Sequence, residues 1–347
     1  WPFVRSLTNP MDRFNLFQFA TQESAHAAFW AWAFQATDAD EEKLAGPKDL
    51  GQSAIRLLDG PIPPGPVTVD TEVVLSTDDR PDLRVDFGDD HSLFVELKKE
   101  GKFDASQIQR YRQAIDEEDR VALISTQFDA EKADDVCPFL ELDDLRELLW
   151  PHRDDHPLLT DYADWVDARK ERWATIRRNA FSEDPDAIAS ALSTLYGQKL
   201  VMDAVSKSMT GWTKNTFASR GGQPYTEFWF VEAGADQDAL FYRIDEYAEG
   251  HTLSLKQYLD DKDAPAWEGK EDRLSRLRNW WRDSAQKTEH RLSFRDPHNR
   301  GSKKREVACL LFTDNPPPIV VEDLPRIHQT FTEKLDENGW VLGVEGA

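Results

Sequence analysis

A chain of 347 residues, 39% of them hydrophobic, is long enough to bury the core of one large globular domain or of two ordinary ones. Its 42 Lys and Arg stand against 65 Asp and Glu, and the resulting net charge of −23 excludes a generally basic coat, so any polyanion must be met by a local patch. Cys137 and Cys309 are too few and too far apart for a disulfide framework or a zinc site, which makes the reducing cytoplasm the expected compartment.

No apolar run reaches membrane-spanning length, and the first residues do not read as a signal peptide. The chain opens on Trp1, so either Met11 is the natural start after added residues or the chain is a trimmed piece. An excess of acid this rich in Asp also suits a salt-tolerant host.

In chain order, aromatic and small apolar residues from Phe14 to Phe34 predict a helix over residues 14–36, with Thr21-Gln22-Glu23 as an alternative cap that restarts it. Residues 37–66 read as a polar and then proline-rich loop after a short helix around Gly51–Leu58. Thr68–Ser76 alternates as a first strand with Asp70, Glu72 and Val74 on one face, where Glu72 is either a further carboxylate for a site or an exposed edge charge.

The most specific stretch follows, from Arg80 to Tyr111. Leu83, Val85 and Phe87 alternate with Asp82, Arg84 and Asp86, and Leu93, Val95 and Leu97 alternate with Phe94, Glu96 and Lys98, with a turn at Gly88-Asp89-Asp90. A turn centred near Asp89 sets Asp82 and Glu96 at equal distances from it, so their carboxylates project from one face with Lys98 beside them. Two carboxylates and a lysine on one sheet face suit a hard divalent cation, with the lysine placed to orient or deprotonate a water. A solvated strand face with an incidental ion pair is the plainer alternative. Asp86 is a rival for the first aspartate, but the hairpin arithmetic and Pro81 favour Asp82.

Arg80-Pro81-Asp82, then Glu96-Leu97-Lys98 closing an apolar strand, then Gln107-Ile108-Gln109-Arg110-Tyr111 opening a helix, together resemble the PD-(D/E)XK nuclease superfamily. The resemblance covers residues 12–150. It implies a restriction-endonuclease-like α/β core, a mixed sheet in the order αβββαβ flanked by helices. It also implies that Asp82 and Glu96 bind Mg²⁺ or Mn²⁺ with a backbone carbonyl near Leu97, that Lys98 assists the attacking water, and that Gln107 and Tyr111 support the site. The segment Glu23–Trp32 resembles the first helix of one branch of the superfamily, in which an acidic residue faces the metal; Glu23 either plays that part or simply favours the positive end of its helix. His26 is read as a core or surface histidine before a phosphate contact.

After the hairpin, Ser106–Glu117 reads as a helix, Arg120–Thr126 as a buried strand, Phe139–Leu142 as another, and Leu142–Trp150 as a helix. The remainder matches no motif: helices over Leu158–Arg178 and Asp186–Met209, strands over Tyr225–Glu232, Ala239–Tyr247, Arg305–Phe312 and Ile319–Val321, and helices over Arg273–Ala285 and Asp323–Asn338. The predicted organisation is a nuclease-like domain over residues 11–155 and an α+β accessory domain over residues 156–347.

Within the second region, eleven Lys and Arg from Arg273 to Arg305 face only Asp283, Glu289 and Asp296. Arg278 and Arg282, with Lys303, Lys304 and Arg305 in the following loop, form the expected nucleic-acid patch; charges paired with the acidic surface are the alternative. Among the tryptophans, Trp212, Trp229, Trp267, Trp280 and Trp281 favour core packing over a base-stacking platform. The combined expectation is a cytoplasmic, metal-dependent nuclease acting on DNA before RNA, in restriction, repair or defence, with no membrane partner and with a homo-oligomer or protein partner admitted. Two rivals remain at this point: a nuclease fold gated by a small ligand on the C-terminal region, and a nucleic-acid-binding protein without catalysis.

Overall fold

A computed structural model describes residues 17, 23–38, 44–63, 65–71, 73–76, 79–88, 91–98, 105–126, 136–209, 214–220, 223–231, 238–258, 270–297 and 304–342. The protein is mixed α/β, with two five-stranded sheets carried by two compact units, Trp1–Arg172 and Trp173–Ala347. The division falls within a helix, α5 (Pro157–Ala180). Among the described residues no helix is long and apolar enough to cross a membrane.

The first unit is built on α1 (Glu23–Gln35), α2 (Ala45–Leu58), β1 (Val67–Thr71), β2 (Leu83–Phe87), β3 (Ser92–Lys98), α3 (Ala105–Ala114), β4 (Arg120–Ser125), β5 (Phe139–Leu140) and α4 (Leu142–Leu149). Its strands lie in sequence order; β1, β2 and β3 are antiparallel, whereas β3–β4 and β4–β5 are parallel. The alternation in β2 and β3 makes each sheet face a chemical choice. Leu83, Val85, Phe87, Leu93, Val95 and Leu97 turn to one side and close a core with Phe29, Trp30, Ala33 and Phe34 of α1, Leu50, Ala54 and Ile55 of α2, and Leu159, Tyr162 and Val166 of α5. Full burial of each such side chain stabilises by roughly 1.5–3 kcal/mol. The opposite face carries a smaller cluster in which Phe94, Val121 and Leu123 meet Ile108 and Tyr111 of α3.

Side chains secure the margins of this sheet. Gln35, at the end of α1, donates from Nε2 to the Val67 carbonyl at 2.9 Å and accepts the Val69 N–H on Oε1 at 3.2 Å, so an amide occupies ladder positions along edge strand β1. His91 Nε2, just after the hairpin turn, meets Asp59 Oδ2 at the end of α2 at 2.6 Å. His26 packs among Phe17, Tyr162 and Trp165 and is buried, in keeping with a core histidine.

The second unit contains the end of α5, then α6 (Pro185–Leu192), α7 (Leu195–Ser206), β6 (Lys214–Arg220), β7 (Gln223–Val231), β8 (Ala239–Tyr247), β9 (Gly250–Tyr258), α8 (Lys270–Lys287), β10 (Lys304–Leu311) and α9 (Pro317–Glu337). The sheet runs β10-β9-β8-β7-β6 and every pairing is antiparallel. One face is aromatic and packs on helices: Tyr242 and Phe230 meet His328 of α9, and Tyr242 meets Trp281 of α8. The Tyr242 hydroxyl lies 3.1 Å from His328 Nδ1.

Three expectations change here. The helix expected near Gly51 begins at Ala45, the helix expected over Asp186–Met209 is two helices, and the expected strand Ile319–Val321 is the first turn of α9. Thr194 breaks the second of these by accepting the Gly197 N–H on its hydroxyl at 3.0 Å, an N-cap that starts α7 afresh. Pro317 sits at the N-terminal turn of α9, where a missing N–H is harmless, so the β-branched run after it is helical.

Candidate active site

The β2–β3 register pairs Leu83 with Val95 and Asp86 with Ser92, and one further step sets Asp82 opposite Glu96. Asp82 stands just outside the β2 ladder, and its Oδ2 accepts the Leu97 N–H at 2.7 Å. Within a strand the N–H and C=O of one residue point the same way, so the Leu97 carbonyl also faces the β2 side where Asp82 stands. The neighbouring Lys98 carbonyl faces the other way and accepts the Thr126 N–H at 2.9 Å.

Glu96 is the centre of a buried set of donors. It is 3% exposed, on the face of β3 that looks to α3. Oε1 accepts from Lys98 Nζ and from Gln107 Nε2, the latter at 2.9 Å. Oε2 lies 2.8 Å from the Tyr111 hydroxyl, which also accepts from Gln107 Nε2 and lies 3.1 Å from the Arg80 carbonyl. Gln107 and Tyr111 are four apart on α3, so one helix face delivers both side chains to one carboxylate. Burial above all, and then the Glu96 charge, raises the Tyr111 hydroxyl far beyond ordinary phenol titration and keeps it a donor.

The rival Asp86 is engaged elsewhere. It pairs with Arg84 at 2.7 Å and accepts from Ser92 Oγ at the other end of the hairpin, beside a cleft lined by Arg84, His91 and Asp119. Arg84 itself lies over the Phe94 ring at 5.8 Å.

The donor set of Asp82, Glu96 and the Leu97 carbonyl is all oxygen, the chemistry that Mg²⁺ or Mn²⁺ takes. A carboxylate has about four lone-pair directions. The contacts described for Glu96 use three, so its donor capacity fits a cation. Among the described residues no cluster of three or more His, Cys, Asp or Glu side chains forms a metal cage. Of the two further carboxylates that sequence offered, Glu23 is the first residue of α1 but its side chain lies outside the described residues, as does Glu72 entirely.

The described residues of the expected basic patch and its neighbourhood differ in their surroundings. Arg278 is half-buried and donates from Nε and Nη2 to the Glu306 carbonyl at 3.1 and 2.9 Å. Arg291 pairs with Glu322 and Asp323, and Arg295 donates from Nε to Cys309 Sγ at 2.9 Å. Arg282 is exposed, with Nη1 3.4 Å from Asn279 Oδ1. Arg305 is half-buried in β10; Lys303 and the side chain of Lys304 lie outside the described residues. Trp281 is core, packed on Tyr242 and Phe331, and Trp229 stacks on Phe241, while Trp212 and Trp267 lie outside the described residues.

Sequence reasoning missed two parts of this arrangement. Arg80 contributes through its carbonyl, which has no sequence signal, and the direct Lys98–Glu96 pair was hidden because i,i+2 neighbours on a strand are legible as sharing a face but not as bonded. No protein-family model, no curated protein sequence and no solved structure matches this chain.

Proposed function

We propose that the chain is a divalent-metal-dependent phosphodiesterase that hydrolyses nucleic acid, DNA before RNA, on a core of the PD-(D/E)XK nuclease type. The observation that carries this reading is the convergence on Glu96: Lys98, Gln107 and Tyr111 bond to its carboxylate while Asp82 bonds to the adjacent Leu97 N–H. Three side chains of the motif, Lys98, Gln107 and Tyr111, meet on the Glu96 carboxylate, and a fourth, Asp82, bonds to the next residue's backbone. The order of helix, antiparallel β1–β3, helix α3 and parallel β4 is consistent with the same core, with α2 as an addition.

Asp82, Glu96 and the Leu97 carbonyl would hold Mg²⁺ or Mn²⁺. Such an ion supplies charge stabilisation at a phosphoryl oxygen and acidifies water. The chain's own residues supply the rest. Tyr111 and Gln107 fix the Glu96 carboxylate from the helix side, so its remaining lone pair points in one direction. Lys98, with its side chain 16% exposed and its ammonium paired with Glu96, would donate to the attacking water and orient it. The water oxygen would bond to phosphorus as its proton passes to solvent, the P–O ester bond breaks, and the departing oxygen takes a proton from solvent. Exposed Arg282 is retained as a candidate backbone contact, whereas Arg278 is committed to Glu306.

The test is cleavage of plasmid, linear duplex and single-stranded DNA and RNA with Mg²⁺, Mn²⁺ or EDTA. Metal-dependent cleavage that is lost in both Glu96→Ala and Lys98→Ala is expected. Cleavage that survives both substitutions would remove the site assignment.

A further inference from the structure

The sheet of the second unit turns its aromatic face to helices and carries an unusual load of charge on the other. There, Glu227 on β7, Arg243 and Asp245 on β8, Lys256 on β9 and Glu306 on β10 alternate in sign across four strands. Lys256 pairs with Asp245, and the Tyr247 hydroxyl donates to Glu306 at 3.1 Å. At the margin of this network lies a cleft of about 480 Å³ lined by Pro224, Tyr225, Arg243, Asp245, Glu246 and Tyr247, with Ala248.

Arg243 is prepared for a ligand. Its guanidinium carbon sits 4.5 Å from the centroid of the Tyr225 ring, Nη1 donates to Glu227 at 3.0 Å, and Nε faces Asp245. These contacts lock the planar fork and leave Nη2 with no partner among the described residues. The half-exposed Tyr225 ring takes no cation or ring besides Arg243 among the described residues.

The charge of the lining decides the ligand class. The Arg243 charge is already shared between Glu227 and Asp245, the Lys256 charge is taken by Asp245, and Glu246 adds a further carboxylate, so a phosphate group would find no uncompensated cation. A neutral planar group needs none. The half-exposed Tyr225 ring offers stacking, Nη2 offers donors to ring nitrogens or carbonyls, and exposed Glu246 accepts from exocyclic amines. We infer that this cleft binds an unpaired nucleobase bearing an amino group, from a free nucleoside or from a single strand. This inference rests on no part of the hydrolytic reading.

The test is calorimetric titration of the full chain in EDTA, which silences metal-dependent cleavage, with guanosine, cytidine, uridine, inorganic phosphate, and short dC and dT oligonucleotides. Cytidine or guanosine is expected to bind at least about tenfold tighter than uridine, which lacks the amine, with dC over dT in the same sense. Nucleoside binding identifies a free base as sufficient; binding of the dC strand alone identifies the strand as the source. Tyr225→Ala is expected to weaken binding by roughly 5- to 150-fold, and Tyr225→Phe to retain it. Equal binding of uridine, binding of phosphate alone, no binding, or undiminished binding by a folded Tyr225→Ala chain would each overturn the inference. If the alanine variant does not fold, the base selectivity of the unmodified chain decides.

Discussion

Glu96 and Lys98 are only 4% and 16% exposed at their side chains, so each needs the other's charge. Glu96→Gln leaves an ammonium in low dielectric and is expected to cost on the order of 3 kcal/mol of stability, measured by urea denaturation. Adding Lys98→Met should restore most of that loss while cleavage stays about 10²–10⁴-fold down. Recovery of activity alongside stability would show that the pair serves the fold alone. Tyr111→Phe removes the hydroxyl between Glu96 and the Arg80 carbonyl; a loss of about 1–2 kcal/mol is expected, with slower turnover and a little-changed substrate affinity. At this scale the sequence was most informative, because period-two spacing around a turn is arithmetic: Asp82 and Glu96 lie on the extended register, and Asp86 was separable from Asp82 on that ground. What it could not foresee were contacts made by backbone atoms, such as the Leu97 N–H to Asp82, or the consumption of Arg278 by the Glu306 carbonyl.

Among elements, the first turns of α2 were not legible because Gly46 and Pro47 read as breakers, although its later part was expected from Gly51. The structure gives Gly51 a reason: a Cβ there would stand 2.2 Å from the Ala33 carbonyl oxygen of α1. An ordinary helical Gly→Ala change stabilises by about 0.5–1 kcal/mol. Gly51→Ala is expected to do the reverse, lowering stability by roughly 1–3 kcal/mol as α1 and α2 are forced apart, with thermal melting as the readout. A rise in melting temperature would contradict the close approach. Strands β6 and β9 escaped the sequence reading for another reason. In β9, Thr252, Ser254 and Lys256 alternate with Leu253 and Leu255, a period-two signal that is present but short, and the structure buries these polar residues in the charged network. Those two strands complete the sheet whose cleft holds Arg243.

Across the whole molecule, Tyr111, Tyr162, Tyr242 and Tyr247 all have hydroxyls raised above the ordinary phenol range, in each case first by burial. An unfolded tyrosine ionises near pH 10. Below that pH the stability held by these protonated hydroxyls is fully present; above it the unfolded chain releases protons that the folded chain keeps, and stability falls as pH rises. Four tyrosinate signals are therefore expected to emerge only with unfolding when absorbance at 295 nm and circular dichroism are followed together. Four early signals at native dichroism would refute the burial. The net charge of −23 adds a second expectation, a higher melting temperature on going from low to moderate salt as self-repulsion is screened.

The hairpin turn lies at the far end of β2 and β3 from Asp82 and Glu96, with Gly88 exposed in the left-handed region at φ 63°. Length variation therefore has two opposite meanings in this hairpin. An extra residue beside exposed Gly88 falls beyond the Asp86–Ser92 pair and leaves the ladder as it is. One extra residue between Leu93 and Glu96 rotates everything after it by half a pleat, sending the carboxylate into the aromatic core and a leucine into the site. Insertion scanning should thus find a permissive tip and an intolerant stem a few residues apart.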